Sequence, residues 1–274
     1  MKKITAFLFI FVLGAELMAQ VSIAPTALFV DSKRRFETLL FSNRTDAPQE
    51  VRLSWEFGYP VSDEKGNVTM AYGDTIPGQE YSAADWMRGF PKNFILEPGG
   101  RQTVRVTMKA PRNTSPGTYW TRLKTLSSPL SPAIGVPTQP NGISAQITLQ
   151  FNQVTSVFYK TGDLTCGIDI DEVSANVEDD VVSVLAKFSK SGNSPFLGKI
   201  QVKVTDVLGD VVKEEEVFQS IFVDGTRKVD IPVGDLPMGA YEFELTFSSG
   251  RADIPDHNII PIESVSARGS FTKL

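Results

Sequence analysis

The side chains best suited to covalent or metal chemistry are scarce in this chain. There is one cysteine, Cys166 in LTCGIDI, and one histidine, His257 in IPDHN. Neither sits in a local catalytic signature, so a Cys–His nucleophile pair has composition behind it and nothing else. So few imidazole and thiolate donors cannot build a zinc-type site, which takes three or four of them. No GxxxxGK[ST] or GxGxxG segment is present to cradle phosphates. Carboxylates are denser, at Asp171–Glu172, Glu178–Asp180 and Glu214–Glu216. Such hard oxygens suit calcium, but their spacing is not that of an EF-hand loop. They fall beside turns or along a strand face, where a solvated surface is the ordinary reading. The chemistry left is recognition: no enzyme activity, cofactor or metal is expected.

The segment most suited to recognition is ISAQITLQF. Ile143, Ala145, Ile147, Leu149 and Phe151 alternate with Ser144, Gln146, Thr148 and Gln150. A period of two is a β-strand with one apolar face. The proline-laden run SSPLSPAIGVPTQPNG comes just before it and cannot continue regular structure. Such an apolar row either belongs to the chain's own core or is lent to another protein.

Around this segment, strand signals dominate. VSIAPTALFV, FETLLFS, QEVRLSWEF, QTVRVTMKA, TYWTRLKTL and ISAQITLQF are short, rich in β-branched and aromatic residues, and separated by NRTDAP, DEKGN, EPGG and NTSPG. The stretch YSAADWMRG suggests one short helical turn, and no long amphipathic helix is legible in this half. After FYKTGDLTCG a second set follows: GIDIDEVSA, VVSVLAKFS, GKIQVKVTD, DVVKEEEVF, RKVDIPV, AYEFELTFS and SVSARGSFT. The expected fold is all-β, two immunoglobulin-like β-sandwich domains joined at an angle, spanning residues 20–160 and 161–274.

Charge divides in the same place. Residues 20–160 carry 15 Lys and Arg against 11 Asp and Glu, whereas residues 161–274 carry 10 against 20. Neither half has the dense basic stripe of a nucleic-acid binder. The start of the chain, with Lys2 and Lys3 before an apolar run and small residues up to Ala19, reads as a signal peptide over residues 1–19. It implies export, most simply to a bacterial periplasm. No later stretch reaches the roughly 20 apolar residues of a membrane span, so no stable membrane insertion is expected. A single cysteine allows no intrachain disulfide.

One stretch is more specific than composition. FPKNFILEPGGRQTVRV, from Phe90 to Val106, resembles the hallmark of periplasmic pilus (fimbrial) chaperones, the PapD-like family, in which a Pro-x-x-Phe-x-Leu-x-Pro-Gly segment leads into a Gln-Thr-x-Arg strand. VSIAPTALFVDSKRRFETLLFSNRTDAPQEVRLSW, with Asn43 and Trp55, resembles that family's opening strands. SPGTYWTRLKTL and ISAQITLQFNQVTSVFYK resemble its last two strands in the first domain. The resemblance covers residues 20 to 160, and the second domain matches only in kind. It implies a periplasmic chaperone that binds exported pilin-like or surface-structure subunits by β-strand donation. The donor residues would be Ile143, Ala145, Ile147, Leu149 and Phe151, and an outer-membrane assembly protein is a further partner of such a family. The family also anchors a subunit's C-terminal carboxylate with an Arg and a Lys. Those positions fall here on Ala27 and Ser156, so both charges are missing, and Lys33, Arg34, Arg35 and Lys160 are the nearby cations in sequence. Their loss favours an alternative reading, a scaffold or adhesive component of an envelope complex that kept the fold.

Overall fold

In the computed structural model, residues 21–73, 75–130 and 149–274 are described. The proposed signal peptide therefore lies outside the described residues, as do Ile143, Ala145 and Ile147. The first half contains strands β1 (Val21–Ala24), β2 (Ala27–Asp31), β3 (Phe36–Asn43), β4 (Gln49–Glu56), β5 (Gly58–Ser62) and β6 (Val68–Tyr72). A short helix α1 (Thr75–Tyr81) and a 3₁₀ turn at Ala84–Trp86 follow. Then come β7 (Met87–Phe90), β8 (Asn93–Leu96), β9 (Arg101–Met108), β10 (Gly117–Pro129) and β11 (Phe151–Thr161).

Two sheets, ordered β1-β3-β9-β7 and β2-β11-β10-β4-β8, face each other across one core. Period-two patterning explains why. In β9, Val104, Val106 and Met108 are buried while Arg101, Thr103, Arg105 and Thr107 face water. VSIAPTALFV, expected as one strand, is two: it breaks at Pro25, and the halves join different sheets. Proline cannot donate to a ladder, so a strand crossing between sheets tolerates it at the crossing. The Phe90–Val106 motif ties the layers together, since β8 pairs with β4 in one sheet and β9 with β3 in the other.

Asn43 fixes that tie. Its buried side-chain amide donates to the carbonyls of Ala47 (2.8 Å) and Leu96 (2.9 Å), and its Oδ1 accepts from the Thr45 N–H (2.9 Å). Its backbone exchanges hydrogen bonds with Gly99 and Gly100 in the EPGG turn. Gly99 has φ 69°, a left-handed conformation that favours glycine.

The second half has β12 (Gly167–Glu178), β13 (Val181–Ser191), β14 (Phe196–Thr205), β15 (Val211–Ile221), β16 (Gly225–Pro232), β17 (Gly239–Ser249) and β18 (Val265–Lys273). These match the seven strands expected from sequence. They form sheets ordered β12-β13-β16 and β15-β14-β17-β18 around a core that includes Phe188, Phe196, Phe243 and Phe247. No helix among the described residues is long and apolar enough to cross a membrane.

A third apolar cluster joins the halves. Phe57, Tyr59, Trp120 and Phe158 come from the first, and Leu197, Phe222, Ile254 and Ile259 from the second. The hairpin β5–β6, not foreseen from sequence, carries Tyr59 into it, and Ser62 Oγ accepts from the Thr226 N–H at 3.0 Å. Further links are Thr118 N–H to Asn193 O (3.0 Å), Asn193 Nδ2 to Pro116 O (3.1 Å) and Lys160 Nζ to Asn258 O (2.7 Å).

Candidate functional site

Strand β11 is the centre of the site. On one side it pairs antiparallel with β10 along its whole length, from Phe151 opposite Ser127 to Thr161 opposite Gly117. On the other side β2 pairs with it in parallel only from Ser156 to Lys160. Among the described residues, no strand pairs with residues 151–155 on that outer side. One side-chain bond joins this stretch to β1, Gln153 Nε2 to Val21 O at 2.7 Å. A row of unpaired backbone donors and acceptors is a template for another strand.

The side chains along this edge change character with position. Val157 and Tyr159 are buried in the first core, whereas Phe151 is half-buried, Val154 is 43 % exposed and Leu149 is 59 % exposed. Leu149 and Phe151 share strand parity with Val157 and Tyr159, the parity of the apolar row in ISAQITLQF. Leu149 and Gln150 precede the first paired residue, so the strand as observed starts at Phe151, whereas the sequence reading begins it at Ile143.

The two positions read as substituted anchors are neighbours: Ala27 and Ser156 are Cα partners across the parallel pair. The row continues through Arg122 on β10 and Glu56 on β4. Arg122 is the residue that sequence reasoning missed. It is 6 % exposed, its Nε donates to Gly58 O at 2.9 Å, and its Nη1 donates to Ser156 Oγ. Its guanidinium lies 5.4 Å from the centroid of the Phe222 ring, across the junction. No carboxylate pairs with it among the described residues, because Glu56 is taken by Lys124. Burial brings its pKa down to about 10, so it stays protonated at neutral pH. A buried cation with hydrogen bonds but no counter-ion is poised to receive an anionic group. The signal was present in TYWTRLKTL, where Arg122 alternates with Trp120 and Lys124, but only the strand register sets it beside Ser156.

The other nearby cations are spread out. Arg34 pairs with Glu37 at 3.0 Å, and Lys33 and Arg35 belong to the turn after β2. Lys160 is half-buried at the junction, 5.2 Å from the Phe29 ring centroid, and burial pulls its pKa down to about 8.

The residues weighed for catalysis do not converge on a reactive group. Burial pushes the Cys166 thiol up to about 11, which leaves little thiolate at neutral pH. His257 sits in an exposed 3₁₀ turn at Asp256–Asn258. Among the described residues, no three His, Cys, Asp or Glu side chains gather as a metal site would require.

No protein-family model matches the sequence, and no curated protein matches it either. Among solved structures, similar folds over nearly the whole chain are those of fimbrial chaperones. The Pseudomonas aeruginosa CupB2 chaperone is 16 % identical with a TM-score of 0.41, and the match covers 90 % of this chain and 98 % of that one. The E. coli chaperone DraB is 14 % identical with a TM-score of 0.43, covering 90 % and 95 %. A complex of the Salmonella enterica SafA pilin with the SafB chaperone gives 14 % identity and a TM-score of 0.42, also covering 90 % and 95 %.

Proposed function

We propose that this protein is a periplasmic chaperone that holds exported pilin-like or surface subunits by adding its own strand to theirs. Two domains, meeting near residues 160 and 161, would support the donor strand. One observation carries the reading: β11 is paired on both sides from Ser156 to Lys160 but on one side alone over residues 151–155. That open edge continues in sequence into the apolar row Leu149, Ile147, Ala145 and Ile143. Strand addition needs both features, because backbone hydrogen bonds give affinity and alternate side chains fill pockets. Each apolar side chain so buried contributes about 1.5–3 kcal/mol, so three to five would hold a client without a nucleotide. Where Ala27 and Ser156 supply no charge, Arg122 beside Ser156 is the cation that a client carboxylate would meet. Neither a cofactor nor a metal enters this account.

The test is capture from a periplasmic extract. The unmutated protein should co-purify with a stoichiometric exported subunit, and the double variant Leu149→Ser, Phe151→Ser should recover none while keeping its fold by circular dichroism. Recovery of no subunit by the unmutated protein would overturn the reading. The absence of charge at Ala27 and Ser156 favours a second reading, a scaffold component of an envelope complex. In that case the protein would be found in a stable assembly that survives the double substitution.

A further inference from the structure

We propose that a cavity at the end of the first sandwich, separate from the open edge and from Arg122, binds a small, multiply charged oxyanion. The cavity is about 410 Å³ and is lined by Arg35, Lys109 and Arg112. Met108, Ala110, Pro111, Thr114, Tyr159 and Thr161 complete its wall. That volume lies within the roughly 300–1,000 Å³ of ordinary small-ligand sites. No carboxylate lines it, and none of the three cations has an ion-pair partner among the described residues. Other exposed arginines are matched in part, Arg52 with Glu50 and Arg268 with Glu244, but three unmatched cations share this one cavity in a chain of net charge −5. Gathering three like charges around one cavity without an anion is unfavourable, and a ligand carrying two or three negative charges removes the repulsion.

The backbone holds the cations there at a cost. Arg35 has φ 44°, the left-handed region that a residue with a Cβ avoids. It is kept so by hydrogen bonds on both sides, its N–H to Asp31 O at 3.0 Å and its carbonyl from the Met108 N–H at 2.9 Å. The Asp31 carboxylate closes the same turn by accepting from the Lys33 and Arg34 N–H groups. Lys109 is fixed by its N–H to Trp86 O at 2.9 Å, and the loop bearing Arg112 by Thr114 Oγ1 to Pro111 O at 2.8 Å. Strain kept at a charged residue whose side chain has no ion pair among the described residues is a pointer to function. The partly apolar wall fits a compact anion with a carbon or phosphoryl body, such as a tricarboxylate or a pyrophosphate-type group.

Calorimetric titration of the purified full chain at low salt tests this, using citrate, inorganic pyrophosphate and acetate as separate probes. The expected result is saturable one-to-one binding of citrate or pyrophosphate and none of acetate; which of the two binds tells carboxylate from phosphoryl ligands. Arg112→Gln and Arg35→Gly should each weaken that binding at least about tenfold, by loss of a charged hydrogen bond. Arg35→Gly should also melt at a higher temperature than the parent, which separates lost binding from lost folding. The proposal is overturned if neither multiply charged anion binds at millimolar concentration, if acetate binds as well as they do, or if both variants bind like the parent.

Discussion

The two sandwiches solve the same packing problem differently. In the second, β13 and β14 are each flanked on both sides along most of their length, and Phe188, Phe196, Phe243, Phe247 and Phe271 share one core. In the first, β11 is flanked on both sides for only half its length, and a protonated arginine is buried at its side. The second exposes apolar side chains at its turns and on β15, such as Val207, Leu208 and Val211, whereas the first exposes Leu149 and Val154 along a strand whose outer side is unpaired among the described residues. The junction cluster, with Phe158 of β11 beside Trp120 and Phe222, packs the second sandwich against the first.

Substitutions can break this contrast. The largest effect is expected in the second core, where Phe247→Ala removes a fully buried ring and should cost about 3–5 kcal/mol in urea unfolding. Next comes Asn43→Ala in the first sandwich. It leaves the carbonyls of Ala47 and Leu96 without that donor and should cost about 2 kcal/mol by the same measurement.

The junction is sharpened by pH. The folded pKa of Lys160 lies near 8, below its ordinary value of 10.5, so the unfolded chain binds more protons between those limits. Its contribution to stability is therefore full above about 10.5 and lost as pH falls through 8. Unfolding free energy measured at pH 7.5 and at pH 10 should rise by less in Lys160→Met than in the parent. The smallest stability effect belongs to the open edge: Leu149→Ser with Phe151→Ser should move stability by within about 1 kcal/mol while abolishing subunit capture. If that pair destabilised the chain as much as Phe247→Ala does, the edge would belong to the core and the contrast between the halves would fail.

Much of this was legible in the sequence, though unevenly. Alternation in AKF, KIQVKV and YEFELTF marked three strands of the second sandwich, because each has one dry face and one wet face. The first sandwich was harder. Pro25 divides one apparent strand between two sheets, β5 and β6 form a short hairpin of their own, and β7 and β8 are short pieces that pair with strands elsewhere in the chain. MRGF and NFIL carry too few residues for a period to show. Ala27 and Ser156 could be named as neighbours only through a family resemblance, and Arg122 could not be named at all. Its place beside Ser156 depends on the β10–β11 register, which no local pattern encodes. The cation cluster at Arg35, Lys109 and Arg112 was hidden for the same reason, its members coming from a turn, a strand end and a loop.

The central claim is that the unpaired side of β11 is where a client strand docks. Backbone hydrogen exchange, compared between the free protein and its complex with a captured subunit, tests it most directly. The account predicts that alternate amides within residues 151–155 gain strong protection in the complex, while those of β13 and β14 are unchanged. A complex that forms with residues 151–155 exchanging as fast as before, and with protection gained on another edge, would contradict it.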